Sequence, residues 1–246
     1  MYKNTVALIG ENAPCDVIQR LGDEGFDVMI LKKDTRLPSP VASHADMILF
    51  EIDGRIFLSV DYAKEHASLV NAIKSAGYCV VLCDCVPQST YPHDVLFNIA
   101  RVGKNVFANM KHIDQKVKRY LADNGYSLHH VNQGYSKCST VIIGENAIIT
   151  ADRGIAKKAI ALEIDVLLIN NSSDGVRLDG YAYGFLGGAC GIYEGTLYAC
   201  GDISLHPDFD RINEFCGAHG ISICSLSSDR LYDVGGIFFL KINKKG

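Results

Sequence analysis

The chain repeats one pattern five times: two β-strands, then a helix, then a third β-strand. Alternating apolar residues around a tight turn mark each hairpin, as in residues 46–59, where Asp53-Gly54 is a strong turn signal. The hairpins begin near residues 46, 94, 138, 184 and 233, so the intervals are 48, 44, 46 and 49 residues. Self-similarity at this period is typical of repeat architectures, in which one supersecondary unit is copied around or along the molecule.

The helices and the split hairpin predict how the units are joined. The predicted helices span residues 12–24, 62–76, 111–124, 154–163 and 207–219. One strand of the fifth hairpin comes from residues 233–242 and the other from residues 5–9, so pairing them closes the first unit. The prediction is therefore an α/β fold: a single domain over residues 1–246 that forms a closed five-bladed propeller of ββαβ units. An open doubly wound sheet is the alternative, but it has one strand per helix rather than three.

Composition excludes several classes of partner. The chain has 24 Lys and Arg against 28 Asp and Glu, so no basic field favours nucleic acid. No apolar run approaches the ~20 residues that span a bilayer, and residues 1–10 do not resemble a signal peptide. Nine cysteines without a CxxC pair fit a reducing compartment. We expect a cytoplasmic protein with no membrane partner, no metal and no cofactor.

Two short motifs each lie at the start of the first strand of a predicted ββαβ unit, and the two units are two positions apart in the repeat. One is His44-Ala45-Asp46 and the other is Cys138-Ser139-Thr140. They resemble the His-x-Asp and nucleophile motifs of the pentein superfamily, a five-unit α/β propeller. That superfamily includes arginine and agmatine deiminases, dimethylarginine dimethylaminohydrolases and amidinotransferases. The resemblance implies that Cys138 is a nucleophile and that His44 is a general acid and base.

The position of the cysteine departs from the family pattern. The family nucleophile lies near the C-terminus, whereas Cys138 lies 246 − 138 = 108 residues before the end of this sequence. A ring whose ends meet in space tolerates circular permutation. On that interpretation, the acid that the family places one unit before the histidine is Asp233, the third predicted catalytic residue.

Further polar and glycine residues occupy equivalent strand starts. Carboxylates bind the planar guanidinium fork in a bidentate manner, and glycines in a strand indicate close approach of a ligand or backbone. Arg177 is a candidate for binding a substrate carboxylate, and Cys190 is a reserve nucleophile. The predicted substrate-binding residues are Asp46, Asp94, Arg177, Gly187, Gly188 and Cys190.

The sequence thus predicts a hydrolase or deiminase of a guanidino or amidino small molecule. Cys138 would attack the central carbon, and His44 would protonate the leaving amine and then activate water. The alternative is a non-catalytic pentein. It would be a binding or interaction module, like the ribosome anti-association factors, or a small-molecule sensor. In that case Cys138 is an inert buried thiol.

Overall fold

A computed structural model of the chain, which describes residues 4–242, contains five three-stranded sheets of one topology. In every sheet the central strand, which we call the second, pairs antiparallel with one neighbour, the first strand, and parallel with the other, the third strand. The first sheet joins β1 (Thr5–Gly10), β2 (Asp27–Leu31) and β15 (Phe238–Lys241). The others are β3 (Leu49–Ile52), β4 (Arg55–Ser59) and β5 (Cys79–Cys83); β6 (Ala100–Val102), β7 (Asn105–Ala108) and β8 (Ser127–His130); β9 (Thr140–Gly144), β10 (Ala147–Thr150) and β11 (Asp165–Leu168); and β12 (Cys190–Tyr193), β13 (Thr196–Ala199) and β14 (Ser222–Ser225).

Helices connect the second strand of each sheet to the third. They are α1 (Cys15–Asp23), α3 (Val60–Glu65), α4 (Ala67–Ser75), α5 (Gln115–Asp123), α6 (Arg153–Ile160) and α7 (Phe209–Ala218), while the short α2 (Ala45–Ile48) precedes β3. The helix predicted over residues 62–76 is divided, because His66 departs from helical geometry with φ −122° and ψ 47°. Within residues 4–242, every helix falls short of the length and apolarity that a membrane span requires.

The core is divided into clusters, each shared by two sheets. Side chains alternate between the two faces of a strand, so a middle strand supplies residues to two clusters. In β1, Val6 and Leu8 pack with Ile56 of the second sheet, whereas Ala7 and Ile9 pack with the fifth sheet. The same alternation joins the second sheet to the third, the third to the fourth and the fourth to the fifth. Each sheet therefore shares one core cluster with each of two other sheets.

The first strands begin two to six residues later than the sequence predicted. They start at Leu49, Ala100, Thr140, Cys190 and Phe238, rather than near residues 46, 94, 138, 184 and 233. The residues before them form turns and short helices. We call the five stretches that join a third strand to the next first strand the connecting segments; they span residues 32–48, 84–99, 131–139, 169–189 and 226–237.

Candidate active site

Residues from different connecting segments meet where the first strands begin. The Cys138 thiol donates a hydrogen bond of 2.8 Å to Asp46 Oδ2. His44 Nδ1 lies 3.6 Å from Asp233 Oδ1. The amide of Gly188 donates to the carbonyl of Cys138 at 3.0 Å. The structure thus brings together the three predicted catalytic residues, which are far apart in the sequence, and adds Asp46 to them.

Cys138 is fixed by an asparagine that the sequence analysis did not single out. The thiol lies in a turn just before β9 and is 3 % exposed. Asn98 Nδ2 donates to the sulfur at 3.1 Å, and Asn98 Oδ1 accepts the backbone N–H of Lys137 at 2.7 Å and that of Cys138 at 3.3 Å. One side chain therefore holds both the backbone and the sulfur of the candidate nucleophile.

Burial controls the protonation of the Cys138–Asp46 pair. Loss of solvent raises the pKa of Asp46 to about 7, and the positive charge of Lys137 opposes this rise. Burial also raises the pKa of the Cys138 thiol well above its usual value, and the nearby carboxylates Asp46 and Asp233 raise it further. The resting sulfur is a neutral thiol. A cation placed between the two groups would lower both pKa values.

His44 is fully buried beside a carboxylate. Burial lowers the pKa of its imidazole, while the charge of Asp233 acts in the opposite direction. Neither ring nitrogen has a hydrogen-bond partner within the described residues; Nδ1 faces Asp233, which leaves Nε2 available to a substrate or to water. Asp233 itself is held by the backbone amides of Phe185 at 2.8 Å and Gly235 at 3.0 Å. The histidine is therefore neutral at rest, and its acid partner is rigidly placed.

Two glycines make this close packing possible. A Cβ added to Gly188 would overlap Asp233 Oδ1, and one added to Gly235 would overlap the side chain of His44. Gly235 also has φ +78°, a conformation that glycine adopts at little cost. Gly188, predicted from the sequence to bind substrate, packs against the carboxylate of Asp233.

A cavity of about 260 Å³ covers the candidate residues. Val41, His44, Tyr135, Cys138, Leu178, Tyr181, Ala182, Tyr183, Phe185 and Asp233 line it. The titratable groups lie together, and apolar and aromatic side chains form the rest of the wall. Tyr181 and Tyr183 are 44 % and 39 % exposed, so they form the rim.

The other predicted substrate-binding residues do not line this cavity. Asp94 is buried behind Tyr135, whose hydroxyl donates to Asp94 Oδ2 at 2.7 Å, and burial raises the pKa of Asp94. Arg177 is exposed and donates to Asp179 Oδ1 at 2.8 Å. Gly187 and Cys190 line a different cavity of about 380 Å³, which also contains Lys137.

The cluster also offers a set of metal ligands. His44, Asp46 and Cys138 each present a ligand atom, and these atoms lie within 4.8 Å of one another. Nitrogen, oxygen and sulfur donors of this kind suit zinc. Sequence spacing gave no sign of this set, because its members come from two separate connecting segments.

Comparison with known proteins identifies the family and the fold. The sequence model of a protein family described as a family of unknown function (DUF6873) matches residues 8–238. No curated protein matches the sequence. An amidinotransferase of the saxitoxin biosynthetic pathway from Microseira wollei has a similar structure, with a TM-score of 0.58 at 12% identity, covering 93% of this chain and 78% of that chain.

Two further solved structures are similar over most of their length. A DDAH mutant from Pseudomonas aeruginosa, complexed with citrulline, has a TM-score of 0.55 at 11% identity, covering 93% of each chain. The inosamine-phosphate amidinotransferase from Streptomyces griseus has a TM-score of 0.56 at 11% identity, covering 94% of this chain and 79% of that chain.

Proposed function

The chain belongs to DUF6873, a family of unknown function, and has the pentein fold; we propose that it is a hydrolase of guanidino or amidino compounds with Cys138 as its nucleophile. One observation carries the proposal. A buried thiol, hydrogen-bonded by a carboxylate and an amide, lies within 4.8 Å of an imidazole and opens to a cavity. The similar solved structures include proteins named as amidinotransferases and dimethylarginine dimethylaminohydrolases, which is consistent with this chemistry.

The shared core clusters support the rest of the predicted architecture. Because the cluster of Ala7 and Ile9 joins the first sheet to the fifth, we propose that the five sheets close into a single propeller domain. A closed arrangement leaves no outer sheet without a neighbour. The cytoplasmic location stays a prediction.

The first step begins when the cationic substrate enters. A guanidinium is planar, permanently charged and rich in donors. Its N–H groups replace the thiol as partner of Asp46 Oδ2, and its charge lowers the pKa of both Asp46 and Cys138. The thiol proton passes to His44, whose nitrogens have no other partner among the described residues. The result is a thiolate beside an imidazolium.

The thiolate then attacks the central carbon of the substrate. A C–S bond forms, and the electron pair of the C=N bond moves to nitrogen. When the tetrahedral adduct collapses, one C–N bond breaks and the departing ammonia or amine takes the proton from the His44 imidazolium. The product of this half-reaction is a thiouronium on Cys138.

Water completes the cycle. His44, now neutral, removes a proton from the water molecule as its oxygen bonds to the thiouronium carbon. The C–S bond breaks and the thiolate leaves, while the hydroxyl on the carbon loses its remaining proton to solvent, so that the carbon keeps a C=O bond as a urea or amide. The imidazolium returns its proton to the sulfur, so the enzyme regains its resting form.

Neighbouring residues stabilise these charges. The carboxylate of Asp233, 3.6 Å from His44 Nδ1, favours the imidazolium and orients the opposite nitrogen toward the reacting atoms. The amide of Asn98 donates to the sulfur and so stabilises negative charge on it.

A pair of alkylating reagents tests the proposal. 2-Chloroacetamidine is a cation with the shape of the substrate, whereas 2-chloroacetamide is neutral; both form a thioether and release chloride. We expect Cys138 to react at least about tenfold faster with the amidine, because only the cation lowers the pKa of the thiol. Mass spectrometry of tryptic peptides measures each site, and the exposed Cys79 is the internal control.

Turnover is measured on the same preparation. A panel of guanidines, assayed for released ammonia and amine with the wild type and Cys138→Ser, should show activity only with the wild type. Equal rates for the two reagents at Cys138, together with no turnover, would refute the proposed hydrolase function. Selective labelling that guanidines block, without turnover, would indicate the sensor that the sequence analysis left open.

A further inference from the structure

We propose that the substrate carries an apolar tail without a carboxylate, so that it is an alkyl- or aralkylguanidine, or the matching amidine, rather than an amino acid. The proposal rests on the function proposed above and specifies its substrate class. The composition of the cavity wall carries it.

Among its described lining residues the cavity has no permanently charged cation that could pair with an anionic group of a substrate. None of the described residues that line it is a lysine or an arginine, and Asp233 contributes a carboxylate. Asp46 adds a second carboxylate next to Cys138. A substrate carboxylate would leave water without gaining a cationic partner, and it would meet charges of its own sign.

The basic side chains nearest in the sequence to the lining residues are engaged elsewhere. Arg177 precedes Leu178 in the wall, but its guanidinium is bonded to Asp179 and lies 5.7 Å from the ring of Tyr232. Lys137 precedes Cys138, but its ammonium donates to the carbonyl of Gly187 and lines the other cavity.

The wall beyond the reacting groups is apolar and aromatic. Tyr135 and Phe185 have ring centroids 6.4 Å apart, and Tyr183 packs edge-on against Phe185 at 5.9 Å. The hydroxyl of Tyr135 is already bonded to buried Asp94, so this residue presents mainly its ring to the cavity. An apolar tail would be removed from water against these rings.

A matched series of guanidines tests the tail. Butylguanidine, benzylguanidine, 4-guanidinobutanoate, agmatine and arginine differ in tail charge and share the reacting group. We measure kcat/KM with the wild type and, without turnover, the dissociation constant with Cys138→Ser. For butyl- and benzylguanidine we expect a kcat/KM at least about tenfold higher, and a dissociation constant at least about tenfold lower, than for arginine and 4-guanidinobutanoate, since an unpaired buried charge costs at least that factor.

Two variants locate the effect in the cavity. Tyr181→Ala, at the half-exposed rim, should weaken the binding of benzylguanidine about threefold to tenfold and leave the dissociation constant of the parent guanidinium ion unchanged. Leu178→Arg should raise the affinity for 4-guanidinobutanoate to that for butylguanidine or above it. Leu205→Ala is the control, because Leu205 is exposed and lies outside the cavity wall; this variant should change the affinity for neither ligand.

The outcomes separate the two proposals. Arginine or 4-guanidinobutanoate binding as tightly as butylguanidine would overturn the apolar tail while leaving a guanidine hydrolase intact. Preference for agmatine over butylguanidine would overturn it as well, in favour of a dication. If no member of the series binds, including the parent guanidinium, both proposals fail.

Discussion

Replacing Asp46 with asparagine should stabilise the protein at neutral pH while removing the carboxylate that we assign to substrate binding. Burial raises the pKa of Asp46 from 3.8 to about 7. The folded state thus keeps a proton that the unfolded chain releases, and that proton contributes stability which is complete below pH ~4 and lost as pH rises toward 7. At about 1.4 kcal/mol per pKa unit, the shift of about 3 units amounts to about 4 kcal/mol.

Urea unfolding at pH 4 to 8 measures this quantity. The difference in unfolding free energy, Asp46→Asn minus wild type, should increase by about 4 kcal/mol from pH 4 to pH 7 and then level off. Cys138→Ser replaces the thiol donor by a hydroxyl and keeps the buried carboxylate, so the pH dependence of its unfolding free energy should keep the slope of the wild type. A difference for Asp46→Asn that does not change with pH would show that Asp46 is not the desolvated acid described above.

Three further predictions concern the same cluster. The kcat/KM for a guanidine should rise with pH to a plateau with a midpoint near 7, because the ionised form of Asp46 binds the cation; a bell centred well below pH 6 would contradict this. Asn98→Ala should lower kcat about tenfold to a hundredfold with little change in KM, since the amide donates to the sulfur. The folded fraction, measured by circular dichroism on the same preparation, should stay unchanged, whereas a loss of kcat matched by an equal loss of folded protein would show a purely structural role. Gly188→Ala should abolish turnover because the added methyl overlaps Asp233. Gly217→Ala, with open space around it, should keep turnover and raise the free energy of unfolding by up to about 1 kcal/mol, measured by thermal unfolding.

The repeating fold was accessible from the sequence because it depends on local signals. Hairpin turns such as Asp53-Gly54 and the apolar faces of helices such as α5 are written in neighbouring residues. In α5, Asp114 caps the first turn and Val117 and Leu121 are buried at helical spacing. The five sheets follow from these patterns, since each unit has the same order of elements.

The starts of the first strands were placed too early because their apolar residues continue into the connecting segments. Val95, Phe97 and Ile99 alternate as in a strand and are buried, yet β6 begins only at Ala100. Alternation reports burial on one side of the chain, but it does not report whether the backbone has a pairing partner.

The proximity of three candidate residues could be predicted, but their roles stay a prediction. His44, Cys138 and Asp233 were proposed from a resemblance to pentein motifs together with their spacing in the repeat, and the structure places them close together. Asn98 was missed because its role depends on reaching a backbone amide and a sulfur 40 residues away. The sequence also did not indicate that Arg177 is exposed, because its pairing with Asp179 depends on the conformation of the loop that holds both residues.

The first sheet has a consequence for how the protein is made on the ribosome. β1 is synthesised before its antiparallel partner β15 and the Asp233 carboxylate, which follow more than 200 residues later. At ~5–20 residues per second, the edge of β1 that pairs with β15 waits about 10 to 45 seconds for that partner, whereas β2 and Ile56 are available much sooner. During that interval one edge of β1 lacks its pairing partner, and His44 lacks the carboxylate of Asp233. The His44–Asp233 pair therefore forms only after Asp233 has been synthesised, so that no shorter nascent chain contains the complete candidate site.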